Sequence, residues 1–118
     1  MFKILDNTKE NIIAIQVEGE ITRHDYEKIN PLIDKTIREY NQLKFLILMG
    51  EIDAIKPEAF IKDVKIYLNS FNKIEKVAIV GNSSWQKLLA GISSPFISGK
   101  LKFFQQSQIM EAQSWLGE

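Results

Sequence analysis

The sequence predicts a single α/β domain built on a mostly parallel five-stranded sheet, and three observations carry that prediction. Short apolar runs of strand length alternate with stretches whose apolar residues recur every three or four positions, the pattern of βαβ units. Two of the runs, Phe45-Leu46-Ile47-Leu48-Met49 and Val77-Ala78-Ile79-Val80, contain no charged residue, as strands covered on both faces by helices require. A chain of 118 residues, 45% hydrophobic and 25% charged, is the size and composition of one globular domain that needs no disulfide or metal.

The elements follow in order. Phe2 to Leu5 and Ile12 to Glu18 read as a β-hairpin around the turn-favouring Asp6-Asn7-Thr8-Lys9-Glu10-Asn11. Gly19-Glu20 ends the second strand, and Thr22 followed by Asp25 is an N-cap with an acid three positions on. Tyr26, Ile29, Ile33, Ile37 and Tyr40 form one stripe of the first helix, with Pro31 read as an early kink or first-turn residue and Asn41-Gln42 as its end. Phe45 to Met49 is then the central strand, and Gly50 to Ile55 a loop at its carboxyl end. Pro57 and Glu58 open a second helix with the stripe Phe60, Val64, Tyr67 or Leu68, and Phe71. Ile74 to Val80 is the fourth strand. Ser83 with Gln86 is a capping box for a short third helix whose inner face is Trp85, Leu88, Leu89 and Ile92. Gly91 to Gly99 encloses Pro95, Phe96 and Ile97 without a simple period. Leu101 to Phe104 is the last strand, and Ser107 caps a terminal helix carrying Ile109, Ala112, Trp115 and Leu116. The expected order is β-β-α-β-α-β-α-β-α, with four main helices, right-handed crossovers and an antiparallel edge strand.

Composition excludes several functions. The chain has no cysteine, which removes thiolate nucleophiles, disulfides and cysteine-based metal sites and agrees with a cytoplasmic protein. No secretory signal and no apolar run of membrane-spanning length is expected. Net charge is zero, but residues 1 to 59 carry 8 Lys+Arg against 11 Asp+Glu, while residues 60 to 118 carry 7 against 4. That +3 half is too sparse for a nucleic-acid footprint, so no nucleic-acid partner is expected, whereas attraction to an anionic surface fits it.

Candidate chemistry is thin. In an open α/β sheet ligands bind at the carboxyl ends of strands. There Gly81-Asn82-Ser83-Ser84 offers amides at a helix start, but the Walker and dinucleotide glycine patterns are absent and an ordinary cap explains it. Glu51, Asp53 and Glu58 match no calcium-loop spacing and read as a solvated acidic loop. His24 is the lone histidine, tied in sequence to no nucleophile, and no Gly-x-Ser-x-Gly elbow exists. The expectation is therefore no catalytic residue, no metal and no cofactor. Apolar Phe96 and Ile97, following Pro95 and standing among Lys87, Lys100 and Lys102, suit a lipid interface, against the plainer alternative of core packing.

Thr22-x-x-Asp25-Tyr26-Glu27, the Lys76 to Trp85 stretch, Ser94-Pro95 and Ala112-x-x-Trp115-Leu116 together resemble the SpoIIAA-like family of small bacterial proteins. The resemblance implies a fold similar to STAS domains, the anti-sigma factor antagonists, and an architecture compared with lipid-carrying CRAL-TRIO domains. Anti-sigma factor antagonists carry a phosphorylatable Ser or Thr after the central strand, and Gly50 to Glu58 has neither. Two expectations follow. In the first, Trp85, Leu88, Leu89, Ile92, Pro95, Phe96 and Ile97 bind a small apolar or amphipathic ligand or touch a membrane peripherally, with Lys87, Lys100 and Lys102 meeting head groups. In the second, Ile52, Asp53, Ile55, Asn82 and Ser83 form the contact of a STAS-type protein-protein module. A homodimer is compatible with either.

Overall fold

The computed structural model describes residues 1–5, 10–52, 63, 66–68, 71–82 and 100–118, with main chain alone at 51, 52, 71 and 100. Phe2–Ile4 (β1) and Ile12–Gly19 (β2) form the expected antiparallel hairpin, Phe2 opposite Val17. Leu43–Ile52 (β3), Ile74–Gly81 (β4) and Lys100–Gln105 (β5) add in parallel, so the strands lie side by side in chain order, β1-β2-β3-β4-β5, with β3 central.

Arg23–Tyr40 (α1) is the crossover between β2 and β3. Its start is the predicted box. The Thr22 amide donates to Asp25 Oδ2 at 2.8 Å and the Thr22 hydroxyl to the same oxygen at 3.2 Å. The Phe2 amide donates to Asp25 Oδ1 at 3.2 Å, so one buried carboxylate ties the helix start to the edge strand. Asn41 ends the helix in the left-handed region, φ 66°, its amide donating to Ile37 O at 2.8 Å. Pro31 is a correction: it lies two turns inside α1 and not in its first turn. Its ring sits on the exposed side, where water can meet the carbonyl that loses its bond. Of the predicted stripe, Tyr26, Ile29 and Ile33 are fully buried, Ile37 is half-buried and Tyr40 is exposed. The burial of each full side chain contributes about 1.5–3 kcal/mol.

Because side chains alternate along a strand, the sheet has two separate apolar faces. On the α1 face Ile13, Ile15, Val17, Leu43, Phe45, Met49, Val77 and Ile79 pack with the helix stripe, Phe2, Tyr67 and Leu68. On the reverse face Ala14, Leu46, Ala78, Val80 and Phe104 pack against Ala112 and Leu116 of the terminal helix Ile109–Leu116 (α2).

β3 runs through Gly50-Glu51-Ile52, where a loop was expected. Its pairing with β2 slips between Val17 and Gly19, and a Cβ at Gly50 would stand 3.1 Å from Glu18 Cβ. Glycine is thus what lets the two strands stay close across that bulge. Ser107 does not cap α2. A 3₁₀ turn, Gln106–Gln108, precedes the helix and is closed by the Gln105 amide donating to Gln108 Oε1 at 2.9 Å. Four helices were expected, and the described residues contain two α-helices, α1 and α2. The third helix and most of the second lie outside the described residues, apart from the helical Asp63, Ile66 and Tyr67.

Candidate functional site

At the carboxyl end of the sheet, the alternative contact set is placed in part. Ile52 is the last residue of β3, and Asn82 directly follows β4 and is exposed. The two strands are neighbours, so these positions share one end of the sheet; Asp53, Ile55 and Ser83 lie outside the described residues. The start of α1 stands at the same end. There Tyr26 packs edge-on against Phe2, ring centroids 5.0 Å apart, and against Tyr67 at 5.6 Å, with the Arg23 guanidinium over Tyr67 at 5.6 Å. The Tyr26 hydroxyl is buried and has no hydrogen-bond partner among the described residues. Burial pushes its phenol well above the ordinary tyrosine value, and the charges of Asp63 and Asp25 and the neighbouring Tyr67 push the same way. Burial therefore favours the neutral phenol. For Asp25, desolvation by burial pushes the carboxyl up. The hydrogen bonds from the Thr22 and Phe2 amides, the positive charge of the Met1 amino group 3.7 Å away and the hydrogen bond from the Thr22 hydroxyl outweigh it and hold the carboxyl below its usual value.

The opposite, amino end of the reverse face carries charge. Strand register aligns Lys44 of β3, Lys76 of β4 and Lys100 of β5 in one row, with Lys102 in the next row beside Ala78. Adjacent strands are about 4.8 Å apart, so the like charges of Lys44 and Lys76 stand side by side, an arrangement that is unfavourable unless something offsets it. The offset comes from the carbonyl end of α2 and from Glu118 just beyond it. Lys44 Nζ donates to Leu116 O at 2.5 Å, and Lys76 Nζ donates to Trp115 O at 3.0 Å and Glu118 O at 3.1 Å. α2 has no basic residue in its own last turn, so the strands supply the cations that the carbonyl end of a helix favours. Lys76 is only 9% exposed, an unusual burial for lysine.

Trp115 lies between two of these cations. Lys76 Nζ is 5.1 Å from its ring centroid and Lys102 Nζ 5.9 Å, and Lys102 also stands 5.2 Å from the Phe104 ring. Beside them is an open groove of about 340 Å³ lined by Lys102, Phe104, Met110, Glu111, Ser114, Trp115 and Glu118, with Met110 76% exposed. Of the predicted head-group contacts, Lys102 is exposed at this groove and Lys100 opens β5. Trp85, Lys87, Leu88, Leu89, Ile92, Pro95, Phe96 and Ile97 lie outside the described residues.

Sequence reasoning missed Lys44 and Lys76. The signal was present: each parallel strand after β2 has a lysine immediately before its apolar run, at Lys44-Phe45, Lys76-Val77 and Lys100-Leu101. Among the described residues no cluster of three or more His, Asp or Glu side chains gathers as a metal site needs, and no helix is long and apolar enough to cross a membrane.

A hairpin, a sequentially ordered sheet and a terminal helix on the reverse face define an α/β domain of the SpoIIAA-like type. The SpoIIAA-like family model matches residues 12–117, and the chain belongs to that family. It is similar to the crystal structure of an uncharacterised protein of the DUF3478 family with a SpoIIAA-like fold from Shewanella loihica PV-4. That match has a TM-score of 0.67 at 23% identity and covers 98% of this chain and 92% of that one. No curated protein matches the chain.

Proposed function

We propose that this protein is a non-enzymatic docking module for a small apolar or amphipathic ligand, or for the membrane surface that presents one. Trp85, Leu88, Leu89, Ile92, Pro95, Phe96 and Ile97 supply the apolar contact, and Lys87, Lys100 and Lys102 meet the polar end. One observation carries this reading: the strand that follows Gly99 places exposed Lys102 against Phe104 and Trp115 beside the 76% exposed Met110. A cation set beside the accessible Met110 and the half-buried Trp115 matches an amphiphile, whose two ends need both. Co-sedimentation with phosphatidylglycerol vesicles tests it. Wild type pellets and the Phe96→Ser, Ile97→Ser double variant stays in the supernatant; equal pelleting of the two removes the membrane form, and failure to displace a fluorescent fatty acid removes the soluble-ligand form.

The end shared by Ile52 and Asn82 favours a second reading, a STAS-type protein-protein module using Ile52, Asp53, Ile55, Asn82 and Ser83. Ile52 and Asn82 stand at the ends of adjacent central strands, and Gly50 to Glu58 contains no Ser or Thr. Affinity capture from the host then recovers one stoichiometric partner that Asn82→Arg loses. Retention of that partner by Asn82→Arg counts against this contact.

A further inference from the structure

The groove between β5 and α2 carries charge of both signs. Exposed Lys102 belongs to the strand, exposed Glu111 to the helix, and exposed Glu118 follows the helix end. Among the described residues no ion pair joins Lys102 to either carboxylate, and Lys102 meets only the faces of Phe104 and Trp115. Glu111 accepts one exposed hydrogen bond, from Gln108 Nε2 at 3.3 Å. The same groove has an apolar part. Met110 is 76% exposed and borders a hollow of about 340 Å³ in which Trp115 is half-buried. A single exposed apolar residue is ordinary; one that projects beside a hollow able to take an unbranched side chain is a knob next to its own hole.

One surface thus holds a projecting methionine, a hollow, a cation and two anions. A partner of another kind needs only the complement of what it meets, whereas a two-fold interface requires a surface complementary to itself. This one is. We infer that the groove is a self-association surface, and that its occupant is a second copy of the chain related by a two-fold axis. Each Met110 enters the hollow of the other copy beside Trp115, and each Lys102 meets Glu111 of the other copy, so the same contact is made twice. Methionine adapts to such a hollow, and Met and Trp are favoured at interfaces. The patch is small, so the dimer is weak, with a dissociation constant on the order of 100 μM. The inference goes beyond the amphiphile reading and does not need Phe96 or Ile97; a head group and a second copy compete for Lys102.

Charge exchange tests it, read by sedimentation equilibrium of the full chain from about 10 μM to about 1 mM. Wild type passes from monomer to dimer across that range. Lys102→Glu and Glu111→Lys, both at exposed positions, each set like charges against one another in both contacts and weaken self-association at least about tenfold. Mixed in equal amounts, the two variants form a heterodimer at about wild-type affinity, because both contacts are then opposite in sign. A misfolded chain is not rescued by its counterpart, and a charge pair closed within one chain gives no rescue on mixing. The Phe96→Ser, Ile97→Ser variant associates as wild type does, so failure of the membrane reading and failure of this interface are separable. A wild type that stays monomeric to about 1 mM, either single variant associating as wild type does, or a mixture as monomeric as its components overturns the inference. If a monomeric wild type binds a fluorescent fatty acid and Met110→Asp does not, the groove belongs to an amphiphile instead.

Discussion

The two faces of the sheet are held by different physics. On the α1 face an 18-residue helix with a side-chain box at its start buries a continuous stripe. On the reverse face an eight-residue helix without a side-chain cap buries Ala112 and Leu116 and is secured by lysines rising from the strands beneath it. A helix of two turns cannot persist alone in water. The comparison teaches that a short element with little apolar area can be fixed by directed charge, at the expense of placing cations where lysine is seldom found.

That contrast breaks most visibly at Lys76. Lys76→Met keeps the volume but removes the cation at the end of α2. It should lower stability by about 2 kcal/mol and reduce hydrogen-exchange protection in α2 while leaving α1 protected. Uniform loss across both helices would mean that the faces are not separately anchored. Asp25→Asn strikes the other face and should cost about 1–2 kcal/mol. Asp25 is held below its unfolded pKa, so its stabilisation is present above the ordinary carboxylate range, about pH 4, and is lost as pH falls through the lower folded value. Denaturant midpoints measured across acid pH should show that dependence in the wild type and less of it in Asp25→Asn. Smallest is Tyr26→Phe. Its hydroxyl is buried without a partner among the described residues, so its removal should leave stability unchanged or raise it by up to about 1 kcal/mol. A loss beyond about 1 kcal/mol would reveal a bond to that hydroxyl.

Much of the α1 face was legible because its signals are local. The Thr22–Asp25 box, the Tyr26-Ile29-Ile33 stripe, Asn41 and the uncharged centres of β3 and β4 are each readable within a few residues. What was not legible depends on partners distant in the chain. Gly50-Glu51 reads as a break, yet the pairing of Gly19 with Ile52 carries the strand through it. Ser107 is a good cap by type, but the Gln105–Gln108 bond closes the preceding turn and moves the helix start past it. Lys76 reads as a flanking charge because its acceptors lie 39 and 42 residues away. Of the candidate site, Lys100, Lys102, Ile52 and Asn82 are placed, the first two on β5 and the others at the carboxyl end of β3 and β4.

The hydrogen bond from Lys44 to Leu116 spans 72 residues. Closing so long a loop is slow relative to forming a hairpin or a single crossover, and it yields nothing until β3, β4 and β5 are aligned beneath it. The lysine row thus sets an order of assembly, in which the sheet must be complete before the terminal helix has anything to grip. In a refolding experiment with pulsed hydrogen exchange, amides of Ile109–Leu116 should become protected last, after those of β2, α1 and β3.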